Sequence, residues 1–142
     1  EQFFVGLQQH FPDRVVFHRG YHEELSHQIE AASDIFLMPS MYEPCGLNQM
    51  YSLKYGTVPV VRRTGGLADS VQMWDPATRQ GTGIVFNDYD ANGLRWAIHT
   101  ALDLYKDQAA WTQMMRNGML QDFSWERQGQ EYEALYVNLT PA

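Results

Sequence analysis

DIFLMPSMYEPCGLNQMYSLKYGTVPVV, residues 34–61, carries two apolar runs with a helix-length segment between them. The first run spans Asp34 to Pro39, with Ile35-Phe36-Leu37-Met38 inside it, and the second spans Val58 to Val61. Neither alternates polar with apolar, the pattern of strands buried on both faces of a parallel sheet. Leu47 to Tyr55 follows a Pro44-Cys45-Gly46 turn and sets Leu47, Met50 and Tyr51 on one side, as a helix does. Strand, loop, helix and strand in that order predict a right-handed crossover between parallel strands.

Two further runs, Val15 to His18 and Gly83 to Phe86, read as strands of the same kind, which brings the sheet to about four. In His22 to Ala32 a stripe of Leu25, Ile29 and Ala32 predicts a helix seated on that sheet. Ala91 to Tyr105 has the longest stripe, made of Leu94, Ile98, Ala101, Leu102 and Tyr105. Trp111, Met114, Met115 and Met119 share a face, and a last helix from Trp125 to Val137 follows Ser124 as N-cap. The fold class is therefore α/β: a Rossmann-like doubly wound parallel sheet with flanking helices, in a single domain over 1–142. Ligands of such a sheet sit at the carboxyl ends of the strands.

A chain of 142 residues, 44% apolar and 19% charged, is long enough for one hydrophobic core and too short for two full domains. The formal charge of −7 argues against nucleic acid or an anionic membrane as partner, so any anionic ligand must be held locally. Cys45 is the only cysteine, which excludes an intrachain disulfide and a cysteine-based zinc site and fits a reducing cytosol. His22 and His27 are five apart with no third ligand nearby, so no metal or cofactor is expected. No apolar run approaches the ~18 residues of a membrane span. Glu1-Gln2-Phe3-Phe4 has neither a basic leader nor an initiator Met, which suggests a fragment. The sequon-like Asn138-Leu139-Thr140, followed by Pro141, is read as chance.

The loops leaving the strands, Arg19 to Glu23, Ser40 to Gly46, Arg62 to Leu67 and Asn87 to Asp90, should then carry the chemistry. A helix opening at Leu47 presents unpaired N–H groups and a partial positive charge, and so can hold a phosphate without lysines. Gly46 allows that phosphate close to the backbone. Glu43 is a carboxylate able to accept several hydrogen bonds from hydroxyls, or it is a surface acid stabilised by the helix dipole alone. Tyr21 either stacks on a nucleobase or caps the sheet half-buried. Arg62 and Arg63 offer forked donors to an anion or to an acidic neighbour, and Gly65-Gly66 permits a tight turn.

Glu43-Pro44-Cys45-Gly46-Leu47, Lys54-Tyr55-Gly56-Thr57-Val58-Pro59 and Arg62-Arg63-Thr64-Gly65-Gly66-Leu67-Ala68-Asp69 together resemble the signature region of bacterial glycogen synthases and plant starch synthases. Gly20-Tyr21-His22-Glu23 and Asp122-Phe123-Ser124-Trp125 extend the resemblance over nearly the whole chain. It implies a retaining GT-B glycosyltransferase, with two Rossmann-like domains facing a cleft, that moves glucose from ADP-glucose to the non-reducing end of an α-1,4-glucan. The chain resembles the later part of the second domain, with the acceptor groove in the absent amino-terminal domain.

By the same resemblance, Glu43 approaches the glucosyl hydroxyls at the reaction centre and is the expected catalytic residue. Cys45 and Gly46 contact sugar or phosphate through their backbone. Leu47 and Asn48 give amides to the distal phosphate, Tyr21 packs on adenine, and Thr64 and Gly65 border the cleft. Where many related transferases place a second glutamate, eight positions after the first, this chain has Tyr51. The synthase branch commonly lacks that acid. The family's basic pair that clamps the pyrophosphate lies before residue 1, so the isolated chain is expected to be inactive and to bind ADP or ADP-glucose weakly. An exposed final stripe of Trp125, Tyr132, Leu135 and Tyr136 would favour self-association. The setting implied is a bacterial cytoplasm or a plastid stroma. Rival readings are a sucrose- or trehalose-type enzyme using UDP-glucose, against which Cys45 speaks because those classes more often have Phe there, and a noncatalytic nucleotide-binding module.

Overall fold

The computed structural model describes residues 1–139, so Thr140 and Pro141 of the sequon-like stretch lie outside the described residues. The order of elements is α1 (Gln2–His10), α2 (Glu23–Ala32), β1 (Ile35–Met38), α3 (Asn48–Tyr55), β2 (Val58–Arg62), α4 (Gly65–Ser70), β3 (Ile84–Phe86), α5 (Ala91–Lys106), α6 (Gln108–Met119) and α7 (Trp125–Leu139). The strands form one parallel sheet in the order β1-β2-β3, with Ile35 beside Val58 and Val60 beside Ile84.

β2 and β3 are buried along their length, as their unbroken apolar runs require. Val58, Val60, Ile84 and Phe86 turn to one face and pack with Trp74, Ala97, Ala101, Trp111 and Met114 from the segment after α4 and from α5 and α6. Val61 and Val85 turn to the other and pack with Leu53, Leu67 and Val71. Helices therefore close both faces, and the ends of all three strands open on one edge of the sheet.

Three expectations need correction. The sheet has three strands, not four: Val15 to His18 joins no strand pairing, with Val16 87% exposed. An extended run becomes a strand only when a neighbour takes its backbone hydrogen bonds. Here α1 takes the segment instead, with Phe17 stacked on Phe4 at 5.8 Å and the Phe17 N–H donating to the Gln8 side chain.

The second correction concerns α2, whose Ile29 and Ala32 face out while Glu30 is 2% exposed. Its docking is polar and aromatic: the His27 ring lies 4.9 Å from that of Tyr51, and the Thr57 hydroxyl donates to the carbonyls of Glu30 at 2.6 Å and Ser33 at 2.9 Å. Those contacts seat α2 against α3 rather than on the sheet. The third concerns α5, which buries Ala97 and Ala101 while Leu102 stays 46% exposed, so the packed line runs about one residue round from the expected stripe.

Burial raises the Glu30 carboxyl above its ordinary value, with the charge of His27 opposing in part. The folded protein thus holds this proton at pH values where the unfolded chain has lost it. The associated stability is full below the ordinary glutamate range and declines as pH rises through the raised value. Glu30→Gln is expected to flatten that decline and to be the more stable protein at neutral pH. Urea titrations of both proteins across pH 4 to 8 check it, and parallel pH profiles would refute it.

Candidate functional site

β1, β2 and β3 deliver their loops to the same edge, and Arg62 at the end of β2 ties two of them together. Its guanidinium donates to the Met41 carbonyl at 2.6 Å and the Asn87 carbonyl at 3.2 Å, and lies 5.2 Å from the Tyr89 ring centroid. Arg63 donates to the Asn87 side chain at 3.1 Å. Both arginines are therefore engaged within the protein, by carbonyls and an amide side chain rather than by the anion or the acidic neighbour expected from the sequence.

The loop after β1 lies directly on the turn after β2. The Gly66 N–H donates to the Glu43 carbonyl at 3.0 Å. A Cβ on Gly65, whose φ is +42°, would stand 2.0 Å from that same oxygen, and one on Gly66 would stand 2.0 Å from the Cys45 carbonyl. No side chain fits at either place, so the approach needs both glycines. Gly46 also has positive φ, +73°, and turns the chain into α3.

Glu43 is half-buried, and its carboxylate makes no hydrogen bond or ion pair among the described residues. Two residues on, the Cys45 thiol is exposed. No side chain caps α3 at Leu47 or α4 at Thr64. In contrast, α2, α5 and α6 are capped by His22, Asp90 and Asp107, and the Arg127 N–H at the start of α7 reaches the Ser124 hydroxyl at 3.4 Å. The N–H groups opening α3 therefore have no side-chain oxygen in front of them.

Tyr21 is 89% exposed, which removes the half-buried alternative. It precedes α2, whose contacts with α3 advance in step: His27 meets Tyr51 and Tyr55, and further on Glu30 and Ser33 meet Thr57. The two helices thus run parallel and begin on the same side. Tyr21 does not line either hollow beside α3.

One of those hollows, of about 380 Å³, is bordered by Pro44, Cys45, Gln49 and Gly66 on one side and Gln121, Phe123 and Arg127 on the other. The second, about 480 Å³, lies between Leu47, Met50, Tyr51 and Lys54 and the segment from Gln121 to Trp125. The helix face that the sequence assigned to Leu47, Met50 and Tyr51 is thus a wall of this hollow. Hydrogen bonds from the side chain and backbone of Ser124, with the positive charges of Arg127 and Lys54, hold the Asp122 carboxyl below its ordinary value. Asp122, Phe123 and Arg127 had no role in the sequence reading, although the family-like Asp122-Phe123-Ser124-Trp125 marked the place. His22 caps α2 by accepting the Leu25 N–H, and His27 bonds the Tyr55 hydroxyl at 3.1 Å. Among the described residues there is no cluster of three metal-ligating side chains, and no helix is long and apolar enough to cross a membrane.

Residues 7–118 match the family described as Glycosyl transferases group 1. The chain is 52% identical over 136 residues to the glycogen synthase of Koribacter versatilis, covering 96% of this chain and 28% of that protein. It is 53% identical to the glycogen synthase of Thioalkalivibrio sulfidiphilus, covering 98% and 29%. Among solved structures it resembles the catalytic domain of starch synthase IV from Arabidopsis thaliana bound to ADP and acarbose, at TM-score 0.84 and 40% identity over 96% of this chain and 29% of that one. Sucrose-phosphate synthase from Thermosynechococcus elongatus is also similar, at TM-score 0.67 and 29% identity, over 96% of this chain and 34% of that one. The chain thus spans under a third of the length of the glycogen synthases it matches.

A Cβ at residue 66 would force the loop of Glu43 to Cys45 off its seat. Gly66→Ala is expected to lower stability by about 1–3 kcal/mol and to shift the backbone NMR signals of residues 43–46 while leaving those of α5 in place. Unmoved loop signals would show that the contact is not a constraint.

Proposed function

The chain belongs to the group 1 glycosyl transferases, and from that premise we propose that it is the later part of the carboxy-terminal, nucleotide-sugar-binding domain of a glycogen or starch synthase. In this reading the whole enzyme transfers glucose from ADP-glucose to the non-reducing end of an α-1,4-glucan with retention, in a bacterial cytoplasm or a plastid stroma. The observation that carries it is the seating of residues 43–45 on Gly65-Gly66, which sets an unengaged carboxylate beside an uncapped helix start. The pairing suits a ligand with sugar hydroxyls at one end and phosphate at the other.

Glu43 accepts glucosyl hydroxyls and favours the positive charge that develops on the sugar as the leaving diphosphate departs. The backbone of Cys45 and Gly46 borders sugar and phosphate, and the amides of Leu47 and Asn48 meet the distal phosphate. Tyr21, exposed on the same side as the start of α3, stacks on adenine. Thr64 and Gly65 shape the opposite lip. No metal or cofactor enters this scheme. The glucan acceptor is held by the amino-terminal domain, and exposed Trp125, Tyr132, Leu135 and Tyr136 on α7 favour self-association of the isolated chain. A sucrose-type donor site fits less well, given the glycogen synthases at about half identity and Cys45 in place of Phe.

Assembly of donor, acceptor and charge-stabilising groups in a closed cleft is needed for transfer. The 142-residue chain alone is expected to show no glucose transfer, and isothermal titration that gave low-micromolar ADP-glucose affinity would contradict the half-site reading. In the full-length parent, Glu43→Ala is expected to lower kcat by about 10²–10³-fold with stability unchanged within about 0.5 kcal/mol. Glucose transfer assays with ADP-glucose and UDP-glucose, run beside thermal melts, check this. A variant that loses stability but keeps its turnover returns Glu43 to a structural role.

A further inference from the structure

Gln49, the second residue of α3, is polar yet 0% exposed. Its Nε2 donates toward three acceptors: the Gly46 carbonyl at 2.9 Å, the Cys45 carbonyl at 3.1 Å and the Ser70 hydroxyl at 3.0 Å. Ser70 in turn donates to the Gly66 carbonyl at 2.6 Å. Reversing the amide would set its oxygen against two carbonyl oxygens, so this orientation alone avoids acceptor–acceptor repulsion. The remaining oxygen, Oε1, has no donor among the described residues. A Cβ on residue 46 would stand 2.5 Å from it.

A buried acceptor without a donor loses its hydration and gains nothing in return. Methionine or leucine would fill the same space without that loss, so the carboxamide is a poor choice for packing alone. Its effect is geometric. A trans peptide is planar, with its C=O and N–H on opposite sides. By holding the Cys45 and Gly46 carbonyls against its own Nε2, Gln49 turns the N–H groups of Gly46 and Leu47 away from itself.

We infer that Gln49 is a positioning residue for the donor loop: it orients the amides of Gly46 and Leu47 toward the phosphorylated ligand and, through Ser70, locks that loop to the turn after β2. This rests on the reading that the loop meets a nucleotide sugar. Gln49 acts through the backbone and touches no substrate itself.

Two measurements test it. In the 142-residue chain, Gln49→Met is expected to lower the ¹⁵N order parameters of Gly46 and Leu47 from about 0.85 to below about 0.6, with α5 and α6 unchanged. In the full-length parent the same variant should raise the KM for the nucleotide sugar about tenfold or more, with the KM for glucan within about twofold. Ser70→Ala, which removes one acceptor and leaves α3 intact, should give a smaller change in the same direction and keeps the test if Gln49→Met does not fold. An unchanged nucleotide-sugar KM in a folded variant overturns the inference, whatever the melting temperature does. A wild-type parent that uses no nucleotide sugar overturns the proposed function instead, while the order parameters still decide whether Gln49 holds the loop.

Discussion

The contact of the Glu43 and Cys45 carbonyls with Gly65 and Gly66 governs the rest of the site, because it fixes where two loops and two helix starts stand. It joins the loop leaving β1 to the turn leaving β2 at a separation that no side chain at either glycine would allow. Glycine is the residue that loses most freedom on folding, and two in succession weaken any helix they open. α4 nevertheless begins at Gly65, since the Gly66 N–H meets the carbonyl of Glu43 and the packing of Leu67 in the core holds the turn down. Local preference is overridden here by a tertiary contact.

The sheet makes that contact rigid. Val61 and Val85 on one face and Val60 and Ile84 on the other are almost entirely removed from water, so the ends of β2 and β3 have little room to move. Arg62 extends this order outward by bonding the Met41 and Asn87 carbonyls. β1 is less enclosed, with Leu37 45% exposed, and so is α2, whose Ile29 and Ala32 face water.

Periodicity revealed the elements with their own packing and failed where a partner decides. β2, β3 and α5 were legible from apolar runs and stripes, because burial on two faces or one face leaves that pattern in the chain. Val15 to His18 carries the same β-branched composition yet stays unpaired, since composition says nothing about which neighbour is at hand. α1 was not foreseen, and α4 was read as a turn because its opening glycines give no helix signal. The stripe of α2 misled about its docking, for Glu30 and His27 rather than Ile29 face the protein. Glu43, Gly46 and Leu47 stood out in the sequence through the family-like motif and the helix start behind it, and their binding roles remain proposals. Gln49 was not, since a buried carboxamide and a solvated one look alike in a sequence.

Electrostatics sets how such a site can work in a chain of formal charge −7. Arg62 and Arg63 at the strand ends are already bonded to the protein, so neither can meet an anion without breaking those bonds. Arg127 and Lys54 border the hollows beside α3, with Asp122 between them, and the open start of α3 adds about 0.3–1 kcal/mol toward an exposed anion. The distributed negative charge is screened beyond about 8 Å at physiological salt, so it does not cancel amides in direct contact with a phosphate. In the proposed enzyme, aligned amides would choose where the phosphate sits, while nearby cations such as Arg127 and Lys54 would add to the attraction. On that proposal, amide direction, and hence the inward hold on the Cys45 and Gly46 carbonyls, sets the phosphate position while net charge does not.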